Sequence, residues 1–172
     1  MKRPTLPIAA AALALIMGLS AQTAVADSPV SYVRPLDPAH VEASIAAQAT
    51  LPIFLNNAFD RTGEGIRGTS LLILLGTPPM IEEIWVSPFF RTGDQTFAGH
   101  IEGLPRRLTN LMVGQKVPFD QANILDWSIA LDDGKVYGRY RDRARFAGVP
   151  ANRQTVQAGR LSEKPVPKGW DQ

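Results

Sequence analysis

Two hydrophobic patterns divide the chain near residue 68: a four-residue period before it, and short apolar segments cut by turn residues after it. Asp37-Pro38 reads as a helix start, because Asp can accept from unpaired backbone N–H groups and Pro at the first helical position loses no bond. Val41, Ile45 and Ala49 recur every four residues and predict one buried stripe. Pro52 falls inside this pattern, where it removes a hydrogen bond and costs about 3 kcal/mol in an unrelieved helix. A kink or break is therefore expected near Thr50, with Ile53, Phe54, Leu55 and Phe59 packed by a second short helix. Asp60 to Gly68, with three glycines, reads as a loop.

Beyond it, Thr69 to Leu75 predicts a buried strand and Gly76-Thr77-Pro78-Pro79 a turn. Glu82 to Phe90 predicts a second strand, Arg91 to Asp94 a turn, and Gln95 to Ile101 a third strand with Phe97, Gly99 and Ile101 on one face and His100 on the other. Pro105 to Met112 reads as a helical turn or a loop. Lys116 to Phe119 predicts a short strand and Asn123 to Leu131 a longer one, with Leu125, Trp127, Ile129 and Leu131 on a common face. Asp132-Asp133-Gly134-Lys135 is a hairpin turn whose glycine accepts positive φ, and Lys135 to Arg141 should pair back as the last strand. A helix followed by hairpin-linked strands points to an α+β domain over 37–146, with a kinked N-terminal helix packed on an antiparallel sheet of five or six strands. An SH3-like barrel with an added helix is the alternative. Residues 147–172, with three prolines and three glycines, suggest a mobile tail.

Residues 1–26 have the three-part form of a secretory signal peptide: Lys2 and Arg3, an uncharged apolar run from Leu6 to Leu19, and the small-x-small pattern Ala24-Val25-Ala26. Cleavage after Ala26 is expected, leaving a periplasmic or secreted chain with an extended lead-in at 27–36. The apolar run is shorter than the roughly 20 residues that span a bilayer, and no later stretch suits a membrane span. Removing the signal also removes the net charge of +2, so the remaining chain is balanced at 16 basic and 16 acidic side chains. The balance is uneven: 27–138 hold 8 Lys and Arg against 13 Asp and Glu, while 139–172 hold 8 against 3. With no cysteine, a disulfide framework, a thiolate zinc site, an iron–sulfur cluster and a Cys nucleophile are excluded.

The residues between Val41 and Arg143 resemble the YegJ-like bacterial family, a domain of unknown function (DUF 2314) of small, often exported proteins. The resemblance is carried by Thr50-Leu51-Pro52-Ile53-Phe54, by Glu82 with Trp85-Val86, and by Phe97-Ala98-Gly99-His100-Ile101 followed by Pro105. It continues through Gly114, Val117 and Phe119, Ile124-Leu125-Asp126-Trp127, and Gly134 through Gly138-Arg139-Tyr140 to Arg143. The chain departs from the family pattern at Gly103, where an Asn is expected two residues before the proline. The resemblance implies a fold and an export habit and no established activity.

Candidate chemistry therefore rests on the residues. With Trp127 facing the core, alternation puts Asp126 on the opposite face, where its carboxylate could bind a ligand, accept backbone N–H groups at a turn, or pair with an arginine. Glu82, Glu83, His100 and Glu102 could converge if the second and third strands pair. His100-x-Glu102 alone fixes no third ligand, however, so no metal or other cofactor is expected. No GxSxG elbow surrounds a serine, and Gly63 to Gly68 matches GxGxxG without the strand before it and helix after it that phosphate binding needs. Arg139, Arg141, Arg143 and Arg145 at alternate positions would line one strand face, suited to an acidic partner or to guarding a sheet edge.

The first expectation is a non-enzymatic exported module that binds a protein or envelope component with an acidic surface, using Trp85, Asp126, Arg139, Arg141 and Arg143. Nucleic acid is a poor fit for an exported chain without net positive charge. Two other readings stand beside it: an envelope hydrolase using Glu82 and Asp126 with His100, and an immunity or inhibitor protein against a secreted toxin.

Overall fold

The structure is a computed structural model describing residues 38–150 and 156–170. The predicted signal peptide, the lead-in and the Asp37 cap lie outside the described residues. Helix α1 (Pro38–Asn57) opens on the expected proline and runs through Pro52 as one helix, not as two short ones. Its continuity follows from what holds it on both sides of the proline. Leu51, Phe54 and Leu55 are buried, and the Gln48 side chain donates to the Ile124 carbonyl. The Thr50 hydroxyl meets the Ala47 carbonyl at 3.1 Å, the Tyr140 hydroxyl at 2.7 Å and the Trp127 indole N–H at 3.1 Å. With one donor and two acceptor positions, this hydroxyl can serve all three.

The buried stripe is Ala43, Ala47, Leu51, Phe54 and Leu55, while Ile45 is 65% exposed. The predicted stripe through Val41 and Ile45 was thus on the wrong side. The large residues after Thr50 bury the most area and set the phase of the helix, and the two alanines let its first half lie close to its neighbours.

Six strands follow: β1 (Thr69–Thr77), β2 (Met80–Arg91), β3 (Thr96–Ile101), β4 (Lys116–Asp120), β5 (Ile124–Ala130) and β6 (Val136–Gly138). They form one antiparallel sheet in the order β4-β3-β2-β1-β5-β6. The α+β expectation is met, and the barrel alternative is set aside because the sheet is open. It curls nonetheless. The link from Asp120 to Ile124 reaches at most about 14 Å, whereas β4 and β5 would lie about 19 Å apart in a flat sheet.

One face of the sheet, with Leu71, Ile73, Val86, Phe89, Trp127 and Ile129, packs with α1 into the core. Phe54 stacks on Trp127 at 4.8 Å between ring centroids. The ladder between β1 and β5 shifts at Leu72/Ile73, so that Ile124 joins the core and Leu125, expected there, is only partly buried. A β-bulge of this kind moves a side chain off its alternating face.

The last strand stops at Gly138. Gly138 has φ 70° and Arg139 has φ 53°, and the Arg139 N–H donates to the Trp127 carbonyl at 2.8 Å. A Cβ at Gly138 would overlap that same carbonyl oxygen, so glycine alone fits this crossing. The chain then turns into α2 (Tyr140–Phe146). The expected strand through Arg141, with its row of arginines, is therefore a helix.

The expected mobile tail also differs in its described part. Following α3 (Val156–Arg160), Leu161 forms a parallel bridge with Val136, and the Gly138 N–H donates to the Pro165 carbonyl at 2.7 Å. Val166 and Trp170 pack against the core. Among the described residues no helix is long and apolar enough to cross a membrane.

Candidate binding face

The sheet face away from α1 gathers Trp85, Asp126, Arg139 and Arg141. Leu72 on β1 is paired with Trp85 on one side and with Asp126 on the other, so all three share this face. Arg139 adopts the left-handed conformation, which costs a non-glycine residue about 1–2 kcal/mol. Its side chain crosses β1: Nε donates to Ser128 Oγ on β5 at 3.1 Å, and the guanidinium carbon sits 3.9 Å from the centre of the Trp85 ring on β2. Asp142 Oδ2 lies 3.4 Å from Arg139 Nη1, and Asp142 Oδ1 lies 3.1 Å from Arg145 Nη2.

Arg141 is 8% exposed, and its Nη1 lies 2.8 Å from Glu83 Oε1 on β2. That nitrogen has no partner with hydrogen-bond alignment among the described residues, so the contact is one of charge. Arg143 turns instead to the β6 edge. It donates to the carbonyls of Gly138 (2.6 Å) and Ser162 (2.7 Å) and to Ser162 Oγ (2.9 Å), tying the C-terminal segment down. Burial pulls its guanidinium pKa below the ordinary value.

Asp126 is 1% exposed. Its Oδ1 accepts from the Trp127 N–H at 2.8 Å and its Oδ2 from the Arg141 N–H at 3.0 Å. The first turn of α2 is thus capped by a carboxylate from β5, since Arg139 at the cap position makes no side-chain cap bond. Burial is the largest influence on Asp126 and raises its pKa to about 6. The N–H groups of Arg141, Trp127 and Tyr140, together with the Arg139 charge, act in the opposite direction. Of the three roles open from the sequence, Asp126 takes the backbone-capping one.

The candidates for acid–base chemistry are not brought together. Glu82 has the parity of Ile84 and Val86 on β2, which puts it on the opposite face from Asp126. Its carboxylate accepts from the backbone N–H groups of Arg106 (2.7 Å), Arg107 (2.9 Å) and Leu108 (3.0 Å), holding the loop after β3. Burial works to raise its pKa, but these three N–H groups and the Arg107 charge outweigh it and keep the carboxyl below its ordinary value. His100, on β3, has its Nδ1 2.9 Å from the Gly114 carbonyl. Three strand spacings, about 14 Å along the sheet, separate β3 from β5 and therefore His100 from Asp126.

Glu102, considered with His100, lies instead 3.5 Å from Ser70 on β1. Among the described residues no three His, Asp or Glu side chains are grouped to hold a metal ion.

The sequence reading passed over Arg160, which lines an open pocket of about 370 Å³ with Arg139, Val136, Val156 and Leu161. Its only signal in the sequence was a basic residue within a segment that looked irregular. A better signal existed for α2. Tyr140 and Ala144 both pack on the core at i, i+4 spacing, and Asp142 in the first turn with Arg143 and Arg145 in the last is the charge order that complements a helix dipole.

Comparison with curated proteins and with solved structures found no match to this chain. A family does match, over residues 40–153, and that span contains all but the first two residues of α1, the whole sheet and α2, hence every element that builds the Trp85, Asp126 and Arg139 face. The chain belongs to the family of uncharacterized proteins conserved in bacteria, DUF2314.

Proposed function

We propose that the protein is an exported, non-catalytic binding module that presents the Arg139 and Trp85 face to an acidic partner in the bacterial envelope. The observation that carries this reading is the stack of the Arg139 guanidinium on Trp85, held by Ser128 on β5. An arginine fixed over an aromatic ring keeps its charge and donors in a set orientation, which suits recognition of carboxylates. The hydrolase reading has less support, because Glu82 and Asp126 are each bonded to backbone N–H groups and His100 lies three strands from Asp126. Export is supported by the tripartite pattern of residues 1–26.

Titration of the purified chain with hexaglutamate, followed by tryptophan fluorescence, tests the binding face. A saturable change that disappears in Trp85→Phe and Arg139→Gln is expected, with hexalysine giving none. Equal responses to both peptides, or a hexaglutamate response unchanged in Arg139→Gln, would refute it. Export is tested by fractionating cells that express the full chain with a C-terminal tag. Retention in the cytoplasm at the uncleaved mass overturns that part.

A further inference from the structure

The pocket beside this face has a composition of its own. Its walls are Val136 on β6, Val156 at the start of α3 and Leu161 just after α3, and Arg139 and Arg160 complete its lining. A volume of about 370 Å³ is in the range of small-ligand sites, which combine apolar walls with a few fixed polar groups.

Charge at this corner is positive. Arg160 makes no ion pair with any described residue, and Asp142 is shared between Arg139 and Arg145. Arg143, bonded next to the wall residues Val136 and Leu161, donates to backbone carbonyls and a serine hydroxyl and makes no ion pair with a described residue. Arg139 is also the one non-glycine residue of the described chain with positive φ, and backbone strain of this kind concentrates where a side chain must be held in place. Apolar walls disfavour a bare inorganic ion as the occupant, and Arg160, without an ion pair among the described residues, disfavours a neutral one.

We infer that this pocket binds a small organic carboxylate carrying a short apolar body, with Arg160 as its charge partner and Val136, Val156 and Leu161 receiving the chain. The inference shares Arg139 with the acidic-partner face but does not depend on that reading, since its charge partner is Arg160 and its walls belong to β6 and to α3 with the residue after it.

Octanoate is the probe, titrated into the purified full chain and followed by the methyl NMR signals of Val136, Val156 and Leu161. Octanol supplies the apolar body without the charge, and acetate the charge without the body. Saturable octanoate shifts at these methyls are expected, with octanol and acetate each at least tenfold weaker. Arg160→Gln should weaken octanoate at least tenfold. Val156→Asp, at a position 86% exposed and so harmless to folding, should do the same by repelling the carboxylate. Overturning results are an absence of octanoate shifts, octanol binding as tight as octanoate, or octanoate binding unchanged in Arg160→Gln. Hexaglutamate binding read at Trp85 reports separately on the partner face, so failure of either proposal is seen without the other.

Discussion

Replacing Asp126 by Asn separates the charge of the α2 cap from its shape. The carboxyl is 1% exposed, and its pKa is raised from 3.8 to about 6, chiefly by burial. A group with a raised folded pKa binds its proton more tightly in the native state than in the unfolded one. Its contribution is therefore fully present below about pH 4 and is lost as pH rises through 6. A shift of about two units corresponds to roughly 3 kcal/mol, an order-of-magnitude figure for what ionised Asp126 costs the native state at pH 7.5 relative to pH 4. Asn carries no charge at either pH. It keeps one acceptor for the Trp127 or Arg141 N–H and presents a donor to the other, which costs about 1–3 kcal/mol at all pH values. The Asn variant should therefore be clearly destabilised at pH 4, and about 3 kcal/mol better off relative to wild type at pH 7.5, as measured at both pH values by urea unfolding monitored by circular dichroism. A stability difference that is the same at both pH values within about 0.5 kcal/mol would show that Asp126 ionises at its ordinary pKa, and with that the argument from burial fails.

Three further outcomes follow from the same geometry. Thr50→Val keeps the helix but strands the indole N–H of the fully buried Trp127, and should cost about 1–3 kcal/mol in urea unfolding. Glu82→Gln loses at least one of the three backbone bonds to Arg106, Arg107 and Leu108, for about 1–3 kcal/mol at pH 7. Because the Glu82 pKa is lowered, wild type should lose this advantage as pH falls below 4.5, the opposite sense to Asp126, and a penalty that persisted unchanged at pH 3 would contradict the assignment. Arg139→Gly and Arg139→Ala remove the same side-chain contacts, but only glycine takes a φ of 53° without strain, so the Gly variant should be the more stable by about 1 kcal/mol. Equal stabilities would mean that the left-handed backbone is not held in solution.

Strand positions were legible because local alternation and turn chemistry decide them. Gly134 closes a hairpin at residues 131–135, and the edges of β2 and β3 fall within two residues of the breaks in the hydrophobic pattern. What was misread depends on contacts distant in sequence. The phase of α1 is set by Leu51, Phe54 and Leu55 against the sheet, which a count of every fourth residue cannot weigh. Pro52 is tolerated because Thr50 is held by Trp127 and Tyr140, 77 and 90 residues away. Helix α2 carries no capping residue of its own; its cap arrives from Asp126, fifteen residues before Arg141. The capping role of Asp126 was among those open from the sequence, but a single chain gives no means of choosing among them.

The arginines show how much turns on that one secondary-structure assignment. On a strand, residues 139, 141, 143 and 145 would all point the same way and form an even cationic row. Here Arg139 stands just before the helix with a left-handed backbone, and within the helix Arg141 and Arg145, four apart, share a side that Arg143 does not. The four have different fates. Arg143 is absorbed by carbonyls at the β6 edge and Arg139 by Trp85 and Ser128, while Arg141 meets Glu83 and Arg145 meets Asp142. Of the positive charge from residue 139 onward, Arg141 is thus turned onto the protein's own acidic body, at Glu83, while Arg139 and Arg145 share Asp142 within their own segment. Arg160, in the segment whose composition looked least structured, makes no ion pair with a described residue, and it lines the pocket between this segment and β6.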